Sequence, residues 1–261
     1  MTWELLTVAT DAVLRAGAIQ RQRYGTDVEI EHKGSIDLVT EVDKACEATI
    51  VDAIRSRYPA HDIVAEESHF ERRGSEYVWF VDPLDGTTNF AHGYPCFAAS
   101  VAVARRGEVV AGAVYDAMRE DLFTGERGAG AWHNGHRLRV SSASRLIDSL
   151  LITGFPYDIH TDTPTKLRRF VHIMGCARAI RRDGAAAIDL CYVAAGRADG
   201  FWEDALKPWD MLAGALMIEE AGGRVTRYDG SPLGLGPDEI AATNGALHGD
   251  LLQALSEGVS T

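Results

Sequence analysis

The stretch Tyr77–Phe90 constrains the fold more than any other part of the chain. It opens with Tyr-Val-Trp-Phe-Val, a run of aromatic and β-branched residues typical of a buried strand. Proline lacks a backbone N–H, so we expect the strand to stop at Asp82-Pro83. Asp85 follows, and the segment that begins at Gly86 favours a helix start. Two carboxylates and several unpaired N–H groups are therefore predicted to converge on one turn.

Such a turn has the chemistry of a metal and phosphate site. Carboxylate oxygens suit Mg²⁺, and N–H groups at a helix start suit phosphate. Asp, Pro and Gly are also common in surface turns, so local composition by itself permits a turn without a function. The apolar run before Asp82 favours the end of a core strand, where sheets in α/β-type folds usually place their ligands.

The segment Trp79–Phe90 resembles a signature of the inositol monophosphatase family without a gap. That signature reads Trp-x-x-Asp-Pro-[Leu/Ile]-Asp-Gly-Thr-Thr-Asn-Phe, and three further motifs match the family at Asp37–Asp43, Glu66 and Trp209-Asp210. The resemblance covers nearly the whole chain. It implies the layered αβαβα sugar-phosphatase fold, with the active site between two halves. Mixed strands and helices without regular βαβ alternation independently predict an α+β fold.

The resemblance implies a metal site built from carboxylates, with two or three Mg²⁺ ions. It assigns Glu66, Asp82 and the Leu84 carbonyl to a first ion, and Asp82, Asp85 and Asp210 to a second. Four carboxylates at close range would repel one another, each pair by about 4 kcal/mol at an effective dielectric near 20. Cations are therefore needed to stabilise such a cluster. Two metal ions about 3.5 to 4 Å apart would stabilise both oxygens of an in-line displacement.

The same resemblance assigns the catalytic and phosphate-binding roles. Thr87, Asp43 and Glu66 would activate the attacking water with the first metal ion. The N–H groups of Gly86 and Thr87 would bind the phosphate oxygens at the helix start. Lys33 would lie on a mobile loop near the metal ions.

The alcohol part of the substrate is less well defined. By resemblance, Asp85, Ala186 and Glu203 contact it, as in family members that hydrolyse inositol monophosphate. Ala185 replaces the hydroxyl residue of the family's Gly-Ser-Ala-Ala or Gly-Thr-Ala-Ala string, which weakens any transfer of a particular sugar specificity. Histidinol phosphate, fructose 1,6-bisphosphate and a nucleotide 3′-phosphate are rival substrates. A family member that acts mainly as a protein-binding regulatory module is the alternative outside enzymology.

Local sequence leaves simpler explanations open for several of these residues. Lys33 fits a solvated turn, and Glu66 with Glu67 fits a solvated loop. Asp210 in the first turn of a helix could serve only as a partner of the helix dipole. Glu203 could simply end a strand.

The remaining patterns predict an ordinary series of helices and strands. Helices are expected over 3–24, 40–58, 164–176, 185–195, 209–220 and 247–255, and strands over 28–32, 62–65, 97–104, 109–115, 131–133, 136–140, 149–154, 198–203 and 240–242. The polar stretch Ser141–Arg145 separates two predicted halves. Residues 1–145 would bind metal and phosphate, and residues 146–261 would bind the substrate.

Charge and hydropathy narrow the list of partners. The net charge of -12 argues against nucleic acid, because phosphate backbones are bound by clustered Lys and Arg. Charged residues interrupt the apolar N-terminal segment, and no 18 apolar residues run together, so we expect a cytoplasmic protein without a membrane partner. The expected partner is a small phosphorylated alcohol or sugar. The family resemblance also implies a homodimer and sensitivity to lithium.

Overall fold

The computed structural model describes residues 2–32, 38–70, 72–156, 159 and 163–260. The predictions for Lys33 and Asp37 therefore lie outside the described residues. The helices are α1 (Thr2–Arg23), α2 (Glu41–Arg57), α3 (Thr87–Ala91), α4 (Thr163–Cys176), α5 (Ala186–Ala194), α6 (Pro208–Glu220) and α7 (His248–Ser260), with a short 3₁₀ turn at Leu146–Asp148. The strands are β1 (Ile30–His32), β2 (Leu38–Thr40), β3 (Asp62–Ala65), β4 (Tyr77–Asp85), β5 (Ala98–Arg105), β6 (Glu108–Asp116), β7 (Asp121–Glu126), β8 (Gly130–His133), β9 (His136–Arg137), β10 (Leu150–Thr153), β11 (Ala179–Arg181), β12 (Gly200–Leu206), β13 (Arg224–Thr226) and β14 (Asp238–Thr243).

These elements stack in five layers. Helices α1 and α2 cover one face of a seven-stranded sheet, and α5 and α6 lie between that sheet and a five-stranded one. Helices α4 and α7 cover the outer face of the five-stranded sheet. The α+β class and the layered αβαβα arrangement predicted from the sequence are confirmed. None of the helices within the described residues is long and apolar enough to cross a bilayer.

The two sheets differ in topology. The seven-stranded sheet has the order β3-β4-β5-β6-β7-β8-β9, and within it β3 and β4 pair in parallel while the other pairs are antiparallel. The five-stranded sheet has the order β11-β10-β12-β14-β13, with β10 parallel to both of its neighbours. The parallel pair β3 and β4 determines where the site forms, because the carboxyl ends of both strands meet at one edge.

Strand β4 does not stop where the sequence predicts. It continues to Asp85, with Asp82 opposite Ser100 and Asp85 opposite Ala98. One extra residue in β4 therefore forms a β-bulge, and Pro83 lies inside that bulge. A bulge leaves one residue unpaired, so proline is tolerated there without a missing hydrogen bond in the ladder. The prediction of a strand end at Asp82-Pro83 was wrong for this reason.

Strand β12 also differs from its predicted limits. It runs from Gly200 to Leu206, and its register against β14 shifts between Glu203 and Leu206. Ala205, within the shifted segment, has a φ of 61°, a left-handed conformation that alanine adopts rarely. Glu203 is thus the last residue before an irregularity in the strand and not its end.

The two central helices pack very closely against their surroundings. A Cβ on Gly214 of α6 would lie 2.4 Å from the Cβ of Leu190 in α5, and one on Gly112 of β6 would lie 3.0 Å from the Cα of Ala213. Glycine at these two positions lets the backbones approach. This close packing holds α5 and α6 together and holds α6 against β6, and the first turns of both helices contribute to the site described next.

Candidate active site

Four predicted carboxylates come together at the carboxyl ends of β3 and β4. Glu66 follows β3, Asp82 and Asp85 lie in the bulged end of β4, and Asp210 lies in the first turn of α6. Burial, and then the charges of Glu66, Asp85 and Asp210, raise the pKa of Asp82 well above its ordinary value. Since each of these three groups acts on Asp82, residues far apart in sequence share one electrostatic site.

Backbone N–H groups hold two of these carboxylates in place. The Leu84 N–H donates to Oδ1 of Asp82 at 3.0 Å, and the Ala187 N–H donates to Oδ2 of Asp85 at 2.7 Å. Burial raises the pKa of Asp85 to about 7, with Glu66 adding to the increase and the Ala187 hydrogen bond opposing it. The start of α5 therefore orients Asp85 toward the other carboxylates.

Asp210 has both a local and a tertiary role. Its Oδ2 accepts the Lys207 N–H at 2.7 Å, which satisfies a free donor at the N-terminus of α6. It also faces Asp82, whose pKa its charge raises, and burial followed by the charge of Asp85 raises the pKa of Asp210 to about 7. The same side chain thus accepts a hydrogen bond at the start of α6 and faces the carboxylate cluster.

Thr87 and Asp43 are joined by a direct hydrogen bond. The Thr87 hydroxyl lies 2.8 Å from Oδ1 of Asp43 and 2.9 Å from the Leu84 carbonyl oxygen, so its proton has two acceptors. Thr40 caps α2, and its N–H donates to Oδ2 of Asp43 at 2.8 Å. Asp43 is fully buried, and burial raises its pKa although these hydrogen bonds oppose the shift. The buried carboxylate is thus fixed on one side and orients Thr87 on the other.

The turn between β4 and α3 requires glycine. Gly86 has a φ of 90°, and a Cβ there would lie 2.8 Å from the carbonyl oxygen of Cys96. The same Cβ would lie 3.3 Å from the Cβ of Ala185, so the residue that departs from the family string packs against this turn. Phe90 N–H makes the first helical bond, to the Gly86 carbonyl, which leaves the Thr87 N–H without an intrahelical acceptor.

Asn89 ties this turn to the loop before α5, a role that the sequence reasoning did not identify. Its Nδ2 lies 2.8 Å from the carbonyl oxygens of Cys96 and Asp183, and 3.3 Å from that of Gly184. The only available signal was its place inside the matched signature. The Ala187 and Lys207 N–H groups were also missed, because backbone donors leave no mark in the sequence.

Besides Asp85, two residues were predicted to contact the alcohol, and both lie near the carboxylate cluster. Ala186 is the first residue of α5 and precedes Ala187, whose N–H donates to Asp85. Glu203 is 9% exposed, and burial, then Asp210 and Asp85, raise its pKa well above the ordinary value. Glu203 is therefore part of the site's electrostatic environment and not a solvated strand end.

The carboxylates lie close together, but their side chains are not arranged around a common metal position. Within the part of the chain that the structure describes, no three His, Cys, Asp or Glu side chains are arranged to hold one metal ion. Lys207 and Arg182 lower the pKa of Asp210 and Glu203 respectively, but burial and mutual repulsion outweigh them. The donor chemistry fits a hard divalent cation, because clustered carboxylates that repel one another would be stabilised by positive charge.

The fold and this carboxylate cluster define a phosphatase of the layered αβαβα class. The chain belongs to the inositol monophosphatase family, whose sequence profile matches residues 2–260. Members of this family are generally metal-dependent enzymes. The family resemblance and the enzyme class predicted from the signature are thereby confirmed.

Individual relatives are similar over nearly their whole length. The inositol-1-monophosphatase of Synechocystis sp. is 44% identical over 257 residues, which covers 98% of this chain and 89% of that protein. The Nus factor SuhB of Pseudomonas aeruginosa is 47% identical over 247 residues, or 92% of this chain and 91% of that protein. The crystal structure of the extragenic suppressor protein suhB from Bartonella henselae superposes with a TM-score of 0.92 at 40% identity, covering 98% of this chain and 99% of that one.

Proposed function

We propose that this phosphatase is a Mg²⁺-dependent phosphomonoesterase that hydrolyses inositol monophosphate or a related small sugar or alcohol phosphate. One observation carries the proposal. The carboxylates of Glu66, Asp82, Asp85 and Asp210, of which Asp82 is buried and the others are half-buried, meet beside the hydrogen-bonded Thr87 hydroxyl, so charge stabilisation and water activation are available at one place. The Synechocystis relative, named inositol-1-monophosphatase, supports the choice of substrate class.

The residues of this cluster are proposed to hold the metal ions. Glu66, Asp82 and the Leu84 carbonyl would bind the first Mg²⁺, and Asp82, Asp85 and Asp210 the second, while a third ion has no assigned residues. When bound, Mg²⁺ would stabilise the negative charge that develops on the attacking and leaving oxygens. By resemblance, Li⁺ would compete for one of these positions, which a LiCl titration with NaCl as the control would test.

Thr87 and Asp43 are proposed to activate the attacking water. The Thr87 hydroxyl donates to Asp43, so its lone pairs are available to accept a hydrogen bond from water. As the water oxygen attacks phosphorus, its proton would pass to Thr87 while the Thr87 proton moves to Asp43. The bond from phosphorus to the ester oxygen would break, and the alcohol would leave as an alkoxide that takes a proton from solvent water. Glu66 would hold the water from the other side, and the N–H groups of Gly86 and Thr87 would bind the phosphate oxygens.

The two predicted halves divide this work. Residues 1–145 contain Glu66 and the bulged strand β4, and we propose that they bind the metal ions and phosphate. Residues 146–261 contain Glu203 and the start of α5, and we propose that they select the alcohol. Asp210 would join the two halves, because it belongs to the second and interacts with Asp82 and Asp85.

A panel of phosphate esters tests the proposed substrate class. We expect the wild type to prefer inositol 1-phosphate over histidinol phosphate, fructose 1,6-bisphosphate and adenosine 3′,5′-bisphosphate. Glu203→Gln should reduce kcat/KM for inositol 1-phosphate by about 1 to 3 kcal/mol, the size of one hydrogen bond to a charged group. Esters that lack the recognised hydroxyl should change little.

The panel separates the alternatives. Preference for histidinol phosphate or a bisphosphate would replace inositol monophosphate by that substrate within the same enzyme class. An equal loss on every ester in Glu203→Gln would mean that Glu203 supports the site without selecting the alcohol. Failure of the wild type on all four esters would contradict the proposed substrate class.

Homodimer formation is proposed through the outer face of α4. Leu167, Val171 and Met174 follow helical i, i+4, i+7 spacing and are 39%, 57% and 55% exposed. An exposed apolar stripe of this kind indicates a contact surface. We expect the double variant Val171→Glu, Met174→Glu to sediment as a monomer at concentrations where the wild type sediments as a dimer.

A matched control for the dimer is available on another helix. Trp3 of α1 is 56% exposed, so Trp3→Glu removes an equally exposed apolar side chain from a different surface. The control should sediment like the wild type. A monomeric wild type, or a dimer that survives the double substitution in α4, would contradict the proposed interface.

A second, regulatory role is favoured by the comparisons alone. The Pseudomonas aeruginosa relative is named Nus factor SuhB, and a chain 47% identical to it is a candidate for a similar role. Catalysis and regulation can be separated in cells with the variant Asp85→Asn. If a strain that carries only this variant behaves like the wild type, a role independent of catalysis is supported, and loss of function would favour the enzyme activity alone.

A further inference from the structure

Gly154 lies directly against the carboxyl group of Glu203. It is the first residue after β10, and a Cβ built there would lie 2.2 Å from Oε2, 2.3 Å from Oε1 and 2.3 Å from Cδ of Glu203. All three distances are much shorter than a van der Waals contact. The carboxyl group can therefore take its present place only because residue 154 has no side chain.

The two backbones cannot easily separate to make room. Strands β10 and β12 are parallel neighbours, with Thr153 opposite Trp202 immediately before Gly154 and Glu203. The Thr153 hydroxyl donates to the Trp202 carbonyl oxygen at 2.7 Å, and both of these residues are buried. This hydrogen bond fixes the separation of the strands one residue before the contact.

The surroundings of Glu203 determine where a displaced carboxyl group could go. Glu203 is buried and interacts electrostatically with the carboxylates of Asp210 and Asp85 and with the Arg182 guanidinium. The Arg182 guanidinium lies 5.5 Å from the ring centroid of Phe155, the residue after Gly154. A shift of the carboxyl group would thus change its distances to both the catalytic cluster and this cation.

The backbone at Gly154 would accept alanine. Its φ lies outside the left-handed region in which L-residues are strained, unlike that of Gly86. A Gly154→Ala variant therefore tests the space beside Glu203 and not the backbone conformation. The contact is with a side chain, so the Glu203 carboxyl group is what must move.

We propose that Gly154 is a positioning residue that determines specificity for the alcohol. Because Gly154 lacks a side chain, the Glu203 carboxyl group can lie where a hydroxyl of the leaving alcohol donates a hydrogen bond to this carboxyl group. This inference rests on the proposed function, in which Glu203 contacts the alcohol. It adds a residue that touches no substrate and acts only through Glu203.

Gly154→Ala, compared with Gly249→Ala, tests this positioning role. Gly249 in α7 has no atom within 4 Å of a built Cβ, so its variant is a matched control in open space. We expect Gly154→Ala to reduce kcat/KM for inositol 1-phosphate by about 10-fold or more, within the range for one hydrogen bond to a charged group. Activity on 4-nitrophenyl phosphate, which has no alcohol hydroxyl, should stay within about twofold of the wild type, and Gly249→Ala should change neither.

A double-mutant cycle shows whether Gly154 acts through Glu203. Glu203→Ala removes the side chain that the new methyl group would strike. The double variant Gly154→Ala, Glu203→Ala should therefore match Glu203→Ala in both selectivity and Tm, although Gly154→Ala lowers each by itself.

The outcomes are distinguishable. Wild-type selectivity in Gly154→Ala, equal losses on both substrates, or additive effects in the double variant would overturn the positioning role while leaving the proposed function intact. A wild type that hydrolyses neither ester would overturn the proposed function together with this inference.

Discussion

Phosphatase activity is expected to disappear in excess EDTA and to return on addition of Mg²⁺. Asp82, Asp85 and Asp210 are mutually repelling carboxylates in one site, and without cations their charges would also repel the phosphate of the substrate. Metal ions in phosphoryl transfer supply several kcal/mol of charge stabilisation, equivalent to about three orders of magnitude or more in rate. Initial rates measured across a Mg²⁺ titration after chelation would check the expectation.

Chelation has to be separated from unfolding. The far-UV circular dichroism spectrum in EDTA should match that of the Mg²⁺-loaded protein, because the helices and sheets pack through apolar cores away from the cluster. Added NaCl at equal ionic strength should not restore activity. Full activity in EDTA would contradict the proposed metal dependence. Loss of secondary structure in EDTA would mean that the metal is needed for folding and not specifically for catalysis.

Much of the fold was predictable because its elements carry strong local signals. The limits of α2 were predicted nearly to the residue, since Thr40 caps its start and Pro59 follows its end. The bulge at Pro83 was not predictable from local pattern, because proline usually ends a strand and only pairing with β5 reveals that the ladder resumes. Strand β13 was missed for a similar reason, as its three residues become a strand only against β14.

The candidate site was likewise predictable only in part. The sequence pointed to Glu66 and Asp82, and the parallel pairing of β3 with β4 explains why two strand ends deliver them to one edge. What the sequence could not show is how each side chain is oriented. Asp85 is held by the backbone N–H of Ala187. The Glu203 carboxyl group occupies space that is free because Gly154 has no side chain. Neither a main-chain hydrogen-bond donor nor the space beside a glycine can be recognised from the residue types in a sequence.

Asp85→Asn and Asp210→Asn should each lower kcat by about 10²-fold or more while leaving the fold intact. Both carboxylates are proposed to bind the second metal ion, and an amide supplies less charge for the transition state than a carboxylate. Because burial and repulsion among Asp82, Asp85 and Asp210 disfavour their charged forms, removing one charge should not lower the Tm of the metal-free protein. Single-turnover rates at saturating substrate and Mg²⁺, with Tm measured in EDTA, would separate the two effects.

Asp62→Asn is the matched control, and we expect it to change Tm and not kcat, the opposite of the two variants above. Asp62 is buried at the start of β3, the far end of that strand from Glu66, where it accepts hydrogen bonds from the N–H groups of Arg73, Gly74 and Ser75. Its substitution should lower the Tm, since an amide is a weaker acceptor for three donors, and should leave kcat near the wild-type value. If Asp85→Asn or Asp210→Asn behaved like Asp62→Asn, the carboxylate would be structural, and the hydrogen bonds from Ala187 and Lys207 would be the reason for it.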